Sequence, residues 1–433
     1  MHTKASLAAS APKSAHASIA TQRGYLLDRA LTRSTGKSHS MPRRMPIGSL
    51  RGAARADVAL FMPAFVGGGL EAVNITLAQM FAAQGLRVDI VVMKNEGELI
   101  NTVPSEVRVI DLGTSTFRTS LIRRGRMTVQ NAMRKYLESE KPNSVLASNF
   151  YCNVCVLMAR GRQETSRVVI VTHNMLSKQM QGSKYRTQWL FKCLIWYFYR
   201  FADSVVTVSE GVADDLAREA WLERERIRVV YNPVVTPEIA VKAAGQVDHP
   251  WFFESEATPV ILAAGRLTAQ KDFATLLRAF ASLRAGRPAR LAILGEGPDR
   301  AALEALAGAL RVDGDVALLG FVANPFAFMA RASAFVLSSA WEGFGNVLVE
   351  ALACGCPVVS TDCRSGPREI LEDGRYGRLV PVGAPDAMAA AIAEVLDEPP
   401  DKELLRRRAS FFSAEQSAAC YLELLGLRDA NPH

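Results

Sequence analysis

The chain reads as an α/β protein built from two successive parallel-sheet domains that face a central cleft. Three observations carry this expectation. From Asp57 onward, short runs rich in Val, Ile and Leu alternate with longer helical stretches, as in parallel sheets covered on both faces. The alternation breaks over residues 237–258, a polar stretch holding Pro237, Gly245 and Pro250, and then restarts. At 433 residues the chain also exceeds the size at which one core stops growing.

In order, the first half reads as strand Val58–Phe61, glycine turn Gly67-Gly-Gly69, helix Leu70–Gln84 and strand Arg87–Met93. Apolar runs at Val107–Leu112, Ser144–Ser148, Val168–Thr172, Val205–Val208 and Val229–Tyr231 supply further strands. The second half repeats the pattern at Val260–Ala264, Leu291–Leu294, Val316–Leu319, Ala334–Leu337, Val358–Ser360 and Arg378–Val380. The expected organisation is a leader at 1–55, a first domain at 56–236, a linker at 237–258, a second domain at 259–411 and a closing segment at 412–433. The amphipathic stretch Ala414–Leu427 is expected to pack back across the linker.

Charge is concentrated in the leader. Residues 1–55 hold three Lys and seven Arg against one Asp, so the +8 net charge leaves the remainder close to neutral. Bulk charge therefore gives no sign of a nucleic-acid partner. The leader has no sustained apolar run and reads as disordered, or as mis-assigned ahead of Met41 or Met45. No window of 18 apolar residues exists, and seven Cys without scaffold spacing suit a reducing cytoplasm. Cys152-x-x-Cys155 sits in an apolar stretch and reads as core.

Chemistry concentrates at strand ends. Glu342-Gly-Phe-Gly-Asn-Val-Leu-Val-Glu350 brackets a glycine turn that opens an apolar helix behind the strand Ala334–Leu337. Helix-start amides suit phosphate, and carboxylates suit sugar hydroxyls. Gly265-Arg266-Leu-Thr-Ala-Gln-Lys271 puts two cations at the end of another strand, where fixed positive charge suits a leaving diphosphate. His173 ends Val168-Val-Ile-Val-Thr-His and faces the expected cleft. Gly67–Gly69 lacks the G-x-G-x-x-G spacing of a dinucleotide site. Asp313-Gly-Asp315 precedes a strand and reads as a turn, not a metal pair. Residues 185–200 interleave Trp, Tyr and Phe with Arg and Lys. Two readings stay open there: a membrane-surface helix, or a buried helix with Phe191, Leu194, Ile195 and Phe198 as its core stripe.

Five pieces of the second half resemble, in order, the retaining GT-B glycosyltransferases, and more narrowly the glycosyl transferases group 1 family. They are Gly265-Arg-Leu with Lys271-Asp-Phe, Leu294-Gly-Glu-Gly-Pro298, Glu342-Gly-Phe-Gly with Glu350-Ala, Gly355-Cys-Pro-Val-Val359 and Gly366-Pro-Arg-Glu-Ile370. The first half is similar more loosely, through Gly67–Gly69, His173-Asn174, Val208-Ser-Glu-Gly211 and Tyr231-Asn-Pro233. The resemblance implies two Rossmann-like domains and a set of roles. Arg266 and Lys271 bind the donor diphosphate, and Glu342 and His173 meet the transferred sugar. Backbone of Gly343, Phe344, Gly345, Asn346 and Val347 surrounds sugar and phosphate. Glu350 takes the ribose, Val322 the base, and Gly68, Gly69 and Asn232 complete the donor site. It implies no cofactor and no metal, retention of anomeric configuration, and a leaving phosphate oxygen that accepts the acceptor's proton. The Gly366-Pro-Arg-Glu piece resembles the branch that builds bacterial surface polysaccharide from UDP-sugars on lipid-linked or saccharide acceptors, in the cytoplasm or on its membrane face.

Three other classes compete: a glycoside hydrolase using two carboxylates, a sugar-nucleotide epimerase, and a non-catalytic scaffold. Acceptor choice is expected to lie in the first domain's loops, especially residues 94–104 and 175–190; Arg118, Arg123, Arg124 and Arg126 read either as a contact for an anionic lipid-linked acceptor or as a solvated face. No readable motif marks them.

Overall fold

The computed structural model describes residues 44–46, 55–66, 68–114, 128–161, 165–181, 185–253 and 258–427. The expectations for Gly67 and for Arg118, Arg123, Arg124 and Arg126 lie outside these residues. Residues 41–433 form one compact unit.

Eight strands build the first sheet: β1 (Arg44–Pro46), β2 (Val58–Met62), β3 (Val88–Val92), β4 (Arg108–Asp111), β5 (Ser144–Ser148), β6 (Arg167–Thr172), β7 (Ser204–Thr207) and β8 (Ile227–Val229). Helices α1 (Gly69–Ala83), α2 (Val129–Glu140), α3 (Phe150–Ala159), α4 (Leu176–Gln179), α5 (Tyr185–Tyr199) and α6 (Glu210–Ala220) connect them. The order is β1-β4-β3-β2-β5-β6-β7-β8, and every pair is parallel. After α7 (Pro237–Ala243), six strands build the second sheet. They are β9 (Val260–Ala264), β10 (Arg290–Leu294), β11 (Val316–Gly320), β12 (Ala334–Leu337), β13 (Val358–Thr361) and β14 (Arg378–Val380). Their helices are α8 (Phe273–Gly286), α9 (Arg300–Ala309), α10 (Pro325–Arg331), α11 (Asn346–Ala353), α12 (Pro367–Ile370) and α13 (Pro385–Asp397). The order β11-β10-β9-β12-β13-β14 is all parallel. It reverses between β9 and β12, and the first sheet reverses between β2 and β5. Ligands of open parallel sheets bind outside the strand carboxyl ends at such reversals.

Three differences from the sequence reading have physical causes. Arg44–Pro46, expected in the leader, pairs with β4 and extends the sheet edge. The stretch 237–258 holds α7, started by Pro237, whose Ile239 is buried against the second domain's core. On α5 the expected stripe is only partly inside: Ile195 and Tyr199 are buried, whereas Phe191, Leu194 and Phe198 are half-buried.

The cores follow the architecture. One apolar cluster fills the outer layer of the first sheet and another that of the second, while a third runs through both domains and their junction. At the junction Tyr231 stacks on Phe344 with ring centres 5.5 Å apart, and Phe412 closes the trio at 5.3 and 5.5 Å. Burying such a ring contributes about 2–3 kcal/mol. Helices α14 (Lys402–Ser410) and α15 (Ala414–Leu424) end the fold, α15 lying against α1 while Arg167 Nε donates to the Leu424 carbonyl at 2.6 Å. Cys152 and Cys155 are buried on α3, and burial pushes the Cys155 thiol up to about 11, opposite to a redox thiol. Asp313–Asp315 form a single turn whose Asp315 accepts from Arg284 at 2.7 Å. Among the described residues no helix is long and apolar enough to cross a membrane.

Candidate active site

The reversal of the second sheet puts two loops side by side. After β9 the chain turns through Gly265 to Lys271; after β12 it turns through Ser338 to Gly345. Lys271 Nζ lies 2.6 Å from Glu342 Oε1, and Ser339 Oγ donates to the same oxygen at 2.6 Å. Both charges are shielded, the lysine side chain being 16% and the carboxylate 8% exposed. The loops are cross-tied. Ser338 Oγ donates to the Lys271 carbonyl at 2.7 Å, Gln270 Nε2 to the Trp341 carbonyl at 3.1 Å, and Ser365 Oγ to the Glu342 carbonyl at 2.5 Å. Removing one partner of a buried pair held this way costs about 3–5 kcal/mol, because the other charge stays behind unpaired. Gly345, at φ +103, is the residue before α11. Only glycine adopts that backbone without strain, and it sends the first amides of α11 toward the cleft.

The first domain supplies the facing wall. Gly343 packs so closely on it that a Cβ there would lie 1.9 Å from the His173 carbonyl oxygen. Ser209 Oγ donates across the junction to the Gly343 carbonyl at 2.7 Å, and Asn232 Nδ2 to Asn346 Oδ1 at 2.8 Å. Glu369, at the start of α12, accepts the first amides of α6, from Glu210 at 2.9 Å and Gly211 at 3.1 Å. A carboxylate at a helix start meets both the orphan amides and the positive end of the dipole.

Between the walls lies a cleft of about 760 Å³. Twelve of the fourteen residues singled out from sequence line it: Gly68, Gly69, His173, Asn232, Arg266, Lys271, Glu342, Gly343, Phe344, Gly345, Asn346 and Val347. Val322 and Glu350 do not. Val322 follows β11 at the far side of β10, and Glu350 sits one turn into α11. Burial pushes the Glu350 carboxyl up to about 7, with Lys271 and then Lys242 pulling it back. The His173 ring is held at about 4 by burial, and its Nε2 is enclosed without a partner, as is Asn232 Oδ1.

Sequence reasoning missed several lining groups. Glu71, in the first turn of α1, has its carboxyl raised by burial and drawn back by its own backbone amide and by Arg266. Trp341 also lines the cleft, as do Asn174 and Gln270, which lay inside quoted pieces without a role of their own. Acidic residues in a first helical turn are common, so nothing in the sequence marked Glu71 as facing a cleft. Ser209 and Glu369 lay inside the quoted pieces Val208-Ser-Glu-Gly211 and Gly366-Pro-Arg-Glu, and only their cross-domain bonding was unreadable.

Two parallel-sheet domains with a polar cleft at the strand ends define the GT-B fold. A galactosyltransferase of the lipopolysaccharide outer core, solved in its apo form, superposes with a TM-score of 0.65 at 21% identity, over 85% of this chain and 99% of that one. The family models for glycosyl transferases group 1 and for glycosyltransferase family 4 match residues 248–410 and 67–237. A Campylobacter jejuni relative, an N-acetylgalactosamine-N,N'-diacetylbacillosaminyl-diphospho-undecaprenol 4-alpha-N-acetylgalactosaminyltransferase, is 33% identical over 59% of this chain and 68% of its own length. A lipopolysaccharide core biosynthesis glycosyltransferase of Rhizobium meliloti is 32% identical over 53% of this chain and 65% of its own. The chain belongs to the glycosyl transferases group 1 family.

Proposed function

We propose that this chain is a retaining, metal-independent glycosyltransferase. It moves a hexosyl or N-acetylhexosaminyl group from a nucleoside-diphosphate sugar, UDP as carrier, to a lipid-linked or saccharide acceptor of a surface polysaccharide. The observation that carries this reading is the Lys271–Glu342 pair at the sheet reversal, with Arg266 beside it on the same cleft. Fixed cations suit a departing diphosphate, whose charge grows as the glycosidic bond breaks. Glu342, already neutralised by Lys271, is disposed to accept from sugar hydroxyls. The acceptor hydroxyl then adds to the anomeric carbon from the face the diphosphate leaves, and its proton passes to the leaving phosphate oxygen. The acceptor class follows the names of the Campylobacter and Rhizobium relatives. The reading sets the chain on the cytoplasmic side, where its seven free thiols stay reduced.

Glu342 lines the cleft and Glu350 does not, which counts against the two carboxylates of the 342–350 segment acting as a hydrolase pair across one glycosidic bond. Glu350 and Val322 are assigned to the nucleoside, beyond the diphosphate. The test is a panel of UDP- and GDP-sugars with lipid-linked acceptor extract, with and without EDTA. Nucleoside diphosphate released only with acceptor present, unchanged by chelator and giving a product of the donor's anomeric configuration, is the expected result. Release without acceptor supports hydrolysis, an isomerised donor supports an epimerase, and no turnover of any donor supports a scaffold.

A further inference from the structure

Helix α5 has two apolar faces, and only one is used by the fold. At about 100° per residue, Phe191, Ile195, Phe198 and Tyr199 point inward to the first domain's core. The opposite arc carries Tyr185, Trp189, Leu190, Trp196 and Tyr197, continued by Phe201. These six are 80, 55, 56, 41, 50 and 51% exposed. So large a cluster of uncovered aromatic surface is not the scatter of single apolar residues that any soluble protein shows.

The charged residues of this segment have one sign in the sequence. Residues 185–200 contain Arg186, Lys192 and Arg200 and no Asp or Glu. Lys192 is turned aside to Glu219 at 2.6 Å. Arg200 remains on the arc, its guanidinium 3.9 Å from the Trp196 ring centre, with no carboxylate partner among the described residues. Beside it opens a cavity of about 230 Å³ lined by Trp196, Arg200, Trp221 and Arg226, with Glu223 as the one carboxylate in its lining. Arg226 likewise has no carboxylate partner among the described residues.

We propose that the outer face of α5, with this adjoining Arg/Trp cavity, is the surface by which the protein sits on an anionic phospholipid bilayer. Trp and Tyr favour the headgroup level, where the ring is apolar and the N–H or O–H stays wet. Unpaired guanidinium groups between them complement lipid phosphates. Fifteen residues make a helix of about 22 Å, too short to span a bilayer that needs about 20 residues, so α5 lies along the surface. The chain leaves the cleft at His173 and Asn174, forms α4, and reaches Tyr185 eleven residues past Asn174. Lys178 on the way stands 5.2 Å over the Trp341 ring of the facing wall. The amino end of α5 thus follows the cleft loops in the chain, while the Arg/Trp cavity, with Val205 and Ile227 in its lining, lies at the amino ends of β7 and β8. The proposed surface deepens the lipid-linked acceptor reading given above, but it is tested without turnover.

The test is flotation of the full chain with vesicles of phosphatidylcholine alone and with 30% phosphatidylglycerol, followed by tryptophan quenching with brominated lipids. Binding only to the anionic vesicles is expected, with quenching removed by Trp189→Ser plus Trp196→Ser. Arg200→Glu should weaken partitioning at least about five-fold, the worth of one cation at such a surface. Should the double variant fail to fold, Leu190→Ser with Tyr197→Ser asks the same question, and circular dichroism checks each variant. Failure of the wild-type chain to float with anionic vesicles overturns the proposal. So does light scattering that finds a dimer dissociated by the double variant, since the face would then cover a second copy. If flotation fails while a lipid-linked acceptor is still glycosylated, the membrane surface alone is refuted. If flotation succeeds with no turnover of any lipid-linked acceptor, the acceptor reading fails and the surface stands.

Discussion

On the second-domain wall of the cleft, Lys271, Ser339 and Glu342 are bonded to one another, and their loops are tied by Ser338, Gln270 and Ser365. On the first-domain wall, His173 Nε2 and Asn232 Oδ1 are enclosed with no partner. Both walls stand at strand carboxyl ends, so that position alone does not explain the contrast. A charge-bearing group must be held before its ligand arrives, since an unpaired buried charge is too costly. Neutral donors and acceptors can wait, at about 1–3 kcal/mol each, for a ligand to satisfy them. The second wall is therefore preorganised for a fixed, anionic part, and the first is completed by what enters.

The sharpest way to break this comparison is Lys271→Ala. It removes charge from the diphosphate and strands Glu342 beside Ser339. A fall in kcat of about 10³-fold is expected, of the size seen when a preorganised charge-stabilising donor is deleted. Lys271→Arg should recover part of it. A kcat within ten-fold of wild type in Lys271→Ala would remove the preorganised wall from the chemistry.

Gly343→Ala tests the closeness of the walls. Its Cβ would lie 1.9 Å from the His173 carbonyl, so one wall must retreat. Misplacement by about 1 Å costs about 10²-fold in kcat/KM. An unchanged kcat/KM would mean that the two domains work farther apart than this closed arrangement. Next comes Glu369→Ala, which frees the amides of Glu210 and Gly211 and loosens the junction without touching the cleft. About ten-fold in kcat/KM is expected, with Tm lowered, and Glu369→Asp should rescue little because its reach is shorter.

The fold was legible because parallel strands buried on both faces read as runs rich in Val, Ile and Leu; such runs mark twelve of the fourteen strands, and the run read at Val229–Tyr231 meets β8 only at Val229. Arg44–Pro46 was not legible: three residues at a sheet edge have no pattern to show. The second wall was legible because glycines and cations at strand ends are local signals. Glu71, Ser209 and Glu369 act across a junction between segments up to about 195 residues apart, as Glu71 and Arg266 are, which no local signal encodes. Glu350 was visible as a residue, and its displacement from the cleft lining was not.

The smallest effect is a cancellation, and it can be separated by two variants. His173 is held at about 4 against an ordinary 6.5, so between those values the unfolded chain binds the proton and the folded chain does not. Its contribution to stability rises with pH across that window and is lost on acidification. Glu350 is held at about 7 against an ordinary 4.5, so between those values the folded chain keeps a proton that the unfolded chain releases. Its contribution falls as pH rises. From about pH 4.5 to 6.5 the two oppose each other, each by about 2 kcal/mol at most. Glu350→Gln should therefore steepen the rise of Tm with pH relative to wild type, and His173→Gln should flatten or reverse it. Every other titrating group is common to the three proteins, so only differences between their curves count. Parallel curves would mean that neither group keeps its shift in the folded chain, and the neutral state of the His173 ring on the first wall would lose its thermodynamic support.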